Sequence, residues 1–357
     1  MTIQRWPAKT APVLHIYVKK RVLYDTKCFY IYRMKNICIL VPESSVLQAI
    51  ADPQYLFSTA NQFLIAAGKA PLFHVELVGA KREVKLNNGL FSVHTDKLLT
   101  DVERADLILV PALVGDMQTA IAKNKVLLPW IIDQYNKGAE VASLCVGAFL
   151  LASTGLLDGK KCSTHWGFQN EFRQLFPEVE VIDGSIVTEE QHLYSSGGAN
   201  SYWTLLLHLL EKYTDRSIAV LASKYFAVDI DRDSQAVFAM FMGQKNHGDE
   251  AIKKVQEYIE QHTQEKITIE ELANIAGAGR RNFERRFKQA TNNSVLEYIH
   301  RVKIEAAKRQ FENSRKNINE VMYDVGYTDT KAFRAVFKKL TGLTPVEYRN
   351  KYNKMAA

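Results

Sequence analysis

Between residues 249 and 352 one short pattern occurs twice, and it restricts the fold more than any other feature of the chain. The first copy is Thr268-Ile269-Glu270-Glu271-Leu272-Ala273-Asn274-Ile275-Ala276, stopped by Gly277 and followed by a second helical stretch, Arg280 to Ala290. The second copy is Ile318 to Val325, stopped by Gly326 and followed by the Asp329-capped stretch DTKAFRAVFKKL. Phe283 and Phe287 in one copy, and Phe333 and Phe337 in the other, stand four residues apart, so each pair lies on one buried helix face. Thr268 with Glu271 three residues on reads as a capping box. A short helix, a tight turn and a second helix make the grammar of a helix-turn-helix. Two such units beginning about 50 residues apart, each followed by a Tyr-bearing helix (Tyr298, Tyr348), predict an all-α region of seven helices: 249–264, 268–276, 280–290, 294–313, 318–325, 329–340 and 344–352.

The faces opposite the phenylalanines carry chemistry. Arg281, Glu284, Arg285 and Lys288 line the first; Thr330, Lys331, Arg334 and Lys338 line the second. An arginine fork bonds a guanine edge twice, whereas lysine meets phosphate as a point charge. Arg281, Arg285 and Arg334 are therefore the expected base readers, Glu284 and Lys331 further base-facing residues, and Lys288 and Lys338 phosphate contacts. A single charged helix face is more often a solvated surface. Two matched faces joined by a helix of some 20 residues are another matter, since that helix is roughly 30 Å long and successive major grooves lie roughly 34 Å apart. The charge balance agrees: residues 249–357 carry 21 basic and 15 acidic side chains, residues 36–248 carry 17 and 23, and the whole chain is +7. The expected partner is double-stranded DNA.

Upstream, short apolar runs (Ile37–Val41, Phe73–Val78, Asp106–Pro111, Glu140–Leu144, Val179–Ile182, Leu193–Ser195) alternate with helical stretches near 44–66, 119–137, 146–156, 167–176 and 199–213. That alternation predicts an α/β domain with a mostly parallel sheet. Val84–Thr95 reads as a hairpin turning on Asn87-Asn88-Gly89. The informative stretch is Val141-Ala142-Ser143-Leu144-Cys145-Val146-Gly147-Ala148-Phe149. A strand ends at a cysteine and a helix begins at once, the arrangement of a nucleophile elbow, and a helix N-terminus there favours thiolate. His165, twenty residues on, could activate or orient the thiol.

Other classes are excluded or weak. No apolar run is long enough to span a bilayer, and no apolar leader precedes a small-residue cleavage site. Cys28, Cys38, Cys145 and Cys162 form no CxxC pair, which fits a reducing, cytoplasmic setting. The histidines show no ligand spacing, so no metal or other cofactor is expected. Residues 1–35, with 8 basic and 1 acidic side chains, are expected to be a disordered leader or a mis-assigned start ahead of Met34.

Residues 249–352 resemble the DNA-binding domain of the AraC family. The match rests on Leu272-Ala273, Gly277, Arg281, Phe283, Arg285, Phe287-Lys288, Ser294, Tyr298, Ala306-Ala307, Val325-Gly326-Tyr327, Phe333, Phe337, Gly342, Pro345 and Tyr348-Arg349. Departures are Gly279 in place of a capping Ser, Asn292 in place of Gly, and Val295 in place of Pro. Residues 36–213 resemble the class I glutamine-amidotransferase-like, or PfpI-like, domain, on CVGAFLLASTGLLDGKKCSTHW (145–166), Pro53 with Ala60-Asn61, Pro111, and Ser195-Ser196-Gly197-Gly198-Ala199. An acid usual before the Pro of the first loop is replaced by Ala49, with Gln48 beside it. The two resemblances imply a flavodoxin-like sandwich, dimerisation through the N-terminal domain, and a small-molecule effector pocket at Cys145, His165, Gly147 and Gly197. They also imply contact with RNA polymerase if the protein activates transcription.

The chain is thus expected to divide into a leader (1–35), a PfpI-like domain (36–213), a helix and linker (214–248), a DNA-binding domain (249–352) and a tail (353–357). For the first domain three readings stay open: a sensing pocket without catalysis, a Cys-dependent hydrolase or amidase, and an inert core cysteine beside a structural histidine.

Overall fold

A computed structural model describes residues 33–230 and 234–353. The expectation for 1–35 therefore lies, but for its last three residues, outside the described residues. Eleven strands are found among the described residues: β1 (Lys35–Leu40), β2 (Phe73–Gly79), β3 (Glu83–Leu86), β4 (Phe91–His94), β5 (Lys97–Leu98), β6 (Leu107–Val110), β7 (Glu140–Ser143), β8 (Lys161–Cys162), β9 (Glu180–Val181), β10 (Val187–Glu190) and β11 (Leu193–Ser196). The helices of the same half are α1 (Gln48–Ala66), α2 (Met117–Lys123), α3 (Leu127–Asn136), α4 (Ala148–Ala152), α5 (Gln169–Leu175), α6 (Tyr202–Tyr213) and α7 (Arg216–Phe226).

Seven strands form one sheet in the order β10-β11-β7-β6-β1-β2-β5. Every neighbouring pair is parallel except β10 with β11. The continuous apolar runs of β1 and β6 are fully buried, as a sheet covered on both faces requires. Helices α1, α6 and α7 pack on one another, α1 also on β1 and β2 and α6 on β11, while α3 packs on β7 and α4 on β6. The hairpin β3–β4 turns through Asn87, Asn88 and Gly89, all with positive φ. The expected single helix over 119–137 is two helices. Asn124 breaks it: its buried side chain donates to Glu43 O and Ala120 O and accepts the Glu43 N–H. Pro129 is then tolerated because it falls in the first turn of α3. The short strands β5 and β8 and the polar edge strand β10 had no apolar run to announce them.

Seven further helices make the C-terminal region: α8 (Glu250–Gln261), α9 (Ile269–Ile275), α10 (Arg280–Thr291), α11 (Val295–Asn313), α12 (Ile318–Asp324), α13 (Thr330–Thr341) and α14 (Pro345–Tyr352). They build two separate cores. One gathers Phe283, Phe287 and Tyr298 with residues of α8 and α9; the other gathers Phe311, Phe333, Phe337 and Tyr348 with residues of α12. Helix α11 belongs to both, giving Val295, Tyr298, Ile299 and Val302 to the first and Ile304, Ala307 and Phe311 to the second.

The repeat is geometric as well as sequential. Phe283 and Phe287 have ring centroids 5.7 Å apart, Phe333 and Phe337 5.8 Å. Phe287 meets Tyr298 at 5.3 Å, and Phe337 meets Tyr348 at 5.5 Å. Thr291 and Thr341 each donate to the carbonyl of the second phenylalanine, 2.8 Å away. Thr268 caps α9, but Glu271 does not close the expected box; its carboxylate accepts the Tyr258 hydroxyl at 2.5 Å instead. Gly279 gives α10 no side-chain cap, and Asn292 closes it at φ 56° in the left-handed region. Asn353, expected in the tail, is buried and donates to Phe311 O and Ser314 O at 2.6 and 2.7 Å.

The described residues of the stretch expected as helix and linker, 214–248, make contacts at both ends. Helix α7 buries Ile218 and Ala222 in the α/β core. Farther on, the Gln244 carbonyl accepts from Gln256, the Gln244 side chain accepts from Asn293, and Lys245 pairs with Glu260 at 2.7 Å.

Candidate functional site

The recognition faces are built by burial. On α10 the phenylalanine face is fully enclosed, which leaves Arg281, Arg285 and Lys288 exposed and Glu284 half-buried. On α13 the same arrangement exposes Lys331, Arg334 and Lys338 and half-buries Thr330. Arg281, Arg285, Lys288, Lys331, Arg334 and Lys338 make no ion pair among the described residues. The neighbouring arginines are committed: Arg286 makes a bidentate pair with Asp249 at 2.6 and 2.9 Å, and Arg280 pairs with Glu270 at 2.5 Å and approaches Glu284 at 3.5 Å. Arg286 fixes α10 against the start of α8 and holds the Asp249 carboxyl below its usual range. On α10 the cations left without a carboxylate among the described residues are those the helical spacing assigned to DNA; on α13 Lys339 shares that state with Lys331, Arg334 and Lys338. Helix α11, 19 residues or about 28 Å long, is the piece that separates the two faces.

The other site surrounds Cys145. The residue lies just past β7 in a single helical turn, with φ 57°. For a residue with a Cβ this conformation costs roughly 1–2 kcal/mol, and the surroundings enforce it. The Cys145 N–H donates to Ser196 Oγ at 3.0 Å, and its carbonyl accepts from Thr164 Oγ1 at 3.1 Å. Strain held in place in this way is characteristic of functional loops. The residue is 6% exposed. Burial pushes its pKa up, against hydrogen bonds from the Ala199 and Val146 backbone that pull it down. Desolvation thus works against the thiolate that a helix N-terminus favours. Alkylation by iodoacetamide should accordingly be far slower than for free cysteine at pH 7.5 and keep accelerating beyond the usual thiol range. A rate that levels off below pH 8 would contradict this.

His165 does not hydrogen-bond Cys145 among the described residues. Its Nδ1 accepts the Gly167 N–H at 3.0 Å, its ring lies tilted by 33° against Trp166 at 5.1 Å, and burial lowers its pKa. The two residues are linked through one loop. His165 lies flat on Gly198, where any Cβ would meet the imidazole at 2.1 Å, and the next residue, Ala199, offers its N–H to the thiol. Gly197 stands beside them. Gly147 does something else: a Cβ there would lie 2.5 Å from Val110 O and 2.6 Å from Pro111 O, so glycine is needed to let the elbow approach the end of β6. Gly147→Ala should destabilise this domain by about 2–3 kcal/mol, read as a lower midpoint in urea; an unchanged midpoint would disprove the packing role.

Sequence reasoning missed Asp52, which holds the start of α6. Asp52 Oδ2 accepts from the Tyr202 hydroxyl at 2.5 Å and the Trp203 indole at 3.0 Å, and Tyr202 is close enough to Cys145 for the two to interact electrostatically. Asp52 directly precedes Pro53, but nothing in its sequence neighbourhood marked it. Cys162 is buried in β8, its thiol pushed up to about 12 by desolvation.

With these geometries in place, comparison with known proteins defines the class. A DJ-1/PfpI family model matches residues 55–212, and a helix-turn-helix domain model matches 272–351. The chain is 24% identical over 271 residues to the HTH-type transcriptional regulator GbdR of Pseudomonas aeruginosa, covering 75% of this chain and 72% of that protein. It is 23% identical over 313 residues to the HTH-type transcriptional regulator CdhR of the same species, covering 87% and 90%. Over 100 residues, 28% of this chain and 47% of the relative, it is 34% identical to the bifunctional transcriptional activator/DNA repair enzyme AdaA of Bacillus subtilis. The chain therefore joins an α/β domain that matches the DJ-1/PfpI family to a domain that matches a helix-turn-helix model, and its relatives over both are HTH-type transcriptional regulators. Among the described residues no helix is long and apolar enough to cross a membrane.

Proposed function

We propose that this protein is a sequence-specific transcription regulator, an activator that contacts RNA polymerase, in which one chain sets α10 and α13 into successive major grooves. Its α/β domain binds a small metabolite at the Cys145–His165–Gly197 loop and pairs the chain with a second copy. The observation that carries the reading is the repetition of one face: two helices with matched buried phenylalanines, each presenting arginine and lysine without an acidic partner, at the two ends of a rigid spacer. A buried, neutral thiol on a strained elbow favours a recognition pocket over a nucleophile, because the nucleophile would be thiolate. Ligand acts by differential affinity for the DNA-competent arrangement.

The test is selection of genomic fragments by the full chain, followed by binding across a salt series. Recovery of a preferred sequence with a steep salt slope supports the proposal. Equal recovery of all fragments rejects it. A metabolite screen on the wild type and Cys145→Ala then separates the pocket from the rest of the chain: a ligand that shifts the melting of the first and not the second, with no product formed, supports sensing, whereas turnover lost in Cys145→Ala would make the domain an enzyme.

A further inference from the structure

A buried amide holds the chain beyond the α/β domain's last described helix. Ser234 bridges to Ser185, and the Gln235 N–H donates to Gly184 O at 2.9 Å. Gln235 is 1% exposed. Its Nε2 donates to Thr164 O at 2.9 Å and Ser185 O at 3.1 Å, and its Oε1 accepts the Gly198 N–H at 3.0 Å. Both hydrogens of the amide and its oxygen are used, so the seat is specific for glutamine; a carboxylate would face two carbonyls without a proton to give.

The loops that form this seat are those of the Cys145 site. Gly197 packs on the Gln235 amide, where a Cβ would be 2.8 Å from its Cδ. Gly198 carries both the bond to Gln235 and the face under His165, and Ala199 reaches the thiol. The other end of the strap is fastened to the helical domain. Val237 O accepts the Tyr352 hydroxyl at 3.4 Å, Ala239 O accepts Lys308 Nζ at 2.7 Å, and the Phe241 N–H donates to Glu305 Oε2 at 3.1 Å. Lys308 and Glu305 belong to α11. The Phe241 ring meets Tyr298 edge-on at 5.0 Å, and Tyr298 in turn packs on Phe287 of α10. A cavity of about 400 Å³ beside the strap lies between Trp166, Gln169 and Arg173 on one side and Met240, Phe241 and Arg301 on the other, which leaves the strap space to move.

We propose that Gln235 is the residue through which the Cys145 pocket and the DNA-binding helices read one another. It rests on the regulator reading above. A ligand or adduct that moves Gly197–Ala199 unseats or reseats the Gln235 amide, and residues 236–241 carry the change to α11, which sets the relation of α10 to α13. Because such coupling is reciprocal in binding free energy, DNA must in turn change the pocket loop.

The experiment is hydrogen exchange by mass spectrometry on the full chain, comparing wild type, Gln235→Ala and the volume-conserving Gln235→Glu. Without DNA, both variants should speed exchange about tenfold in peptides covering 193–201 and 236–244, as expected for losing a buried amide's bonds, with β1 and β2 unchanged. With the selected operator, wild type should show slowed exchange at α10 and α13 and altered exchange at 193–201; both variants should keep the former and lose the latter. A pocket loop indifferent to DNA in wild type, while α10 and α13 are protected, would overturn the proposal. So would a 236–244 peptide unmoved by either substitution. Absence of protection at α10 and α13 themselves would instead reject the regulator reading, and the DNA-free comparison would still decide whether Gln235 ties the two ends together.

Discussion

Arg285→Ala and Arg334→Ala should each weaken operator binding about 10- to 100-fold, the cost of one lost bidentate base contact at roughly 1–3 kcal/mol. Both side chains are exposed on their helices and unpaired with any carboxylate among the described residues, so neither substitution removes a structural contact of weight, and melting temperature should hold. Arg285 gives up only a 3.0 Å bond to Asn282. The same change at Lys288 or Lys338 should behave differently, lowering affinity for all sequences alike and reducing the salt slope by about one. Arg286→Ala is the informative contrast. Its guanidinium is spent on Asp249, so its loss should loosen the packing of α10 on α8 before it alters sequence preference. Quantitative mobility shifts at several salt concentrations separate these outcomes. Equal effects of Arg285→Ala and Arg286→Ala on specificity would mean that α10 does not present the face assigned to it.

Phe337→Ala should cost the second helix-turn-helix unit about 3–5 kcal/mol, the usual range for deleting a fully enclosed aromatic ring. The ring is 0% exposed and contacts Phe311 at 5.6 Å, Phe333 at 5.8 Å and Tyr348 at 5.5 Å. Since the two helical cores are separate and share only α11, the damage should be uneven. Amides of α12, α13 and α14 should lose protection against exchange while those of α9 and α10 keep most of theirs, and DNA affinity should fall to that of one recognition helix. Uniform loss across both units would show that they melt as one body, and a cost below about 1 kcal/mol would show a core able to collapse around the gap.

How much of this was visible in the sequence follows from what kind of interaction fixes each part. The seven C-terminal helices were legible to within a few residues because local signals set their ends: Thr268, Ser294 and Asp329 cap by side-chain bonds to the next turn, and Gly277, Asn292, Gly326 and Gly342 take the positive φ that stops a helix. The arginines of the DNA face were legible by elimination, once the four-residue spacing of phenylalanines had claimed the inner face. The central parallel strands were legible as apolar runs. The break at Asn124 was not, because its cause is a pair of bonds to Glu43, 81 residues away. The Cys145 site was half legible. The strand–Cys–helix order announced the elbow, but the protonation of the thiol depends on burial that only the fold supplies, and the joining of His165 to Cys145 through Gly198 depends on a chain crossing. Asp52 and Gln235 left no trace because their partners, Tyr202, Trp203, Thr164 and Gly198, are distant in sequence. Gln235 lies ahead of the polar stretch 243–248 that reads as linker, with nothing local to mark it; its burial is imposed from outside.

The central claim is that a single chain reads two successive grooves with two equivalent helices. Its most direct test is a footprint of the selected operator by hydroxyl radical cleavage, with the full chain and with Arg285→Ala and Arg334→Ala. Two protected patches about one helical turn apart for each bound chain, one weakened by each substitution and the other retained, is the predicted result. A single patch, weakened alike by both substitutions, would contradict it.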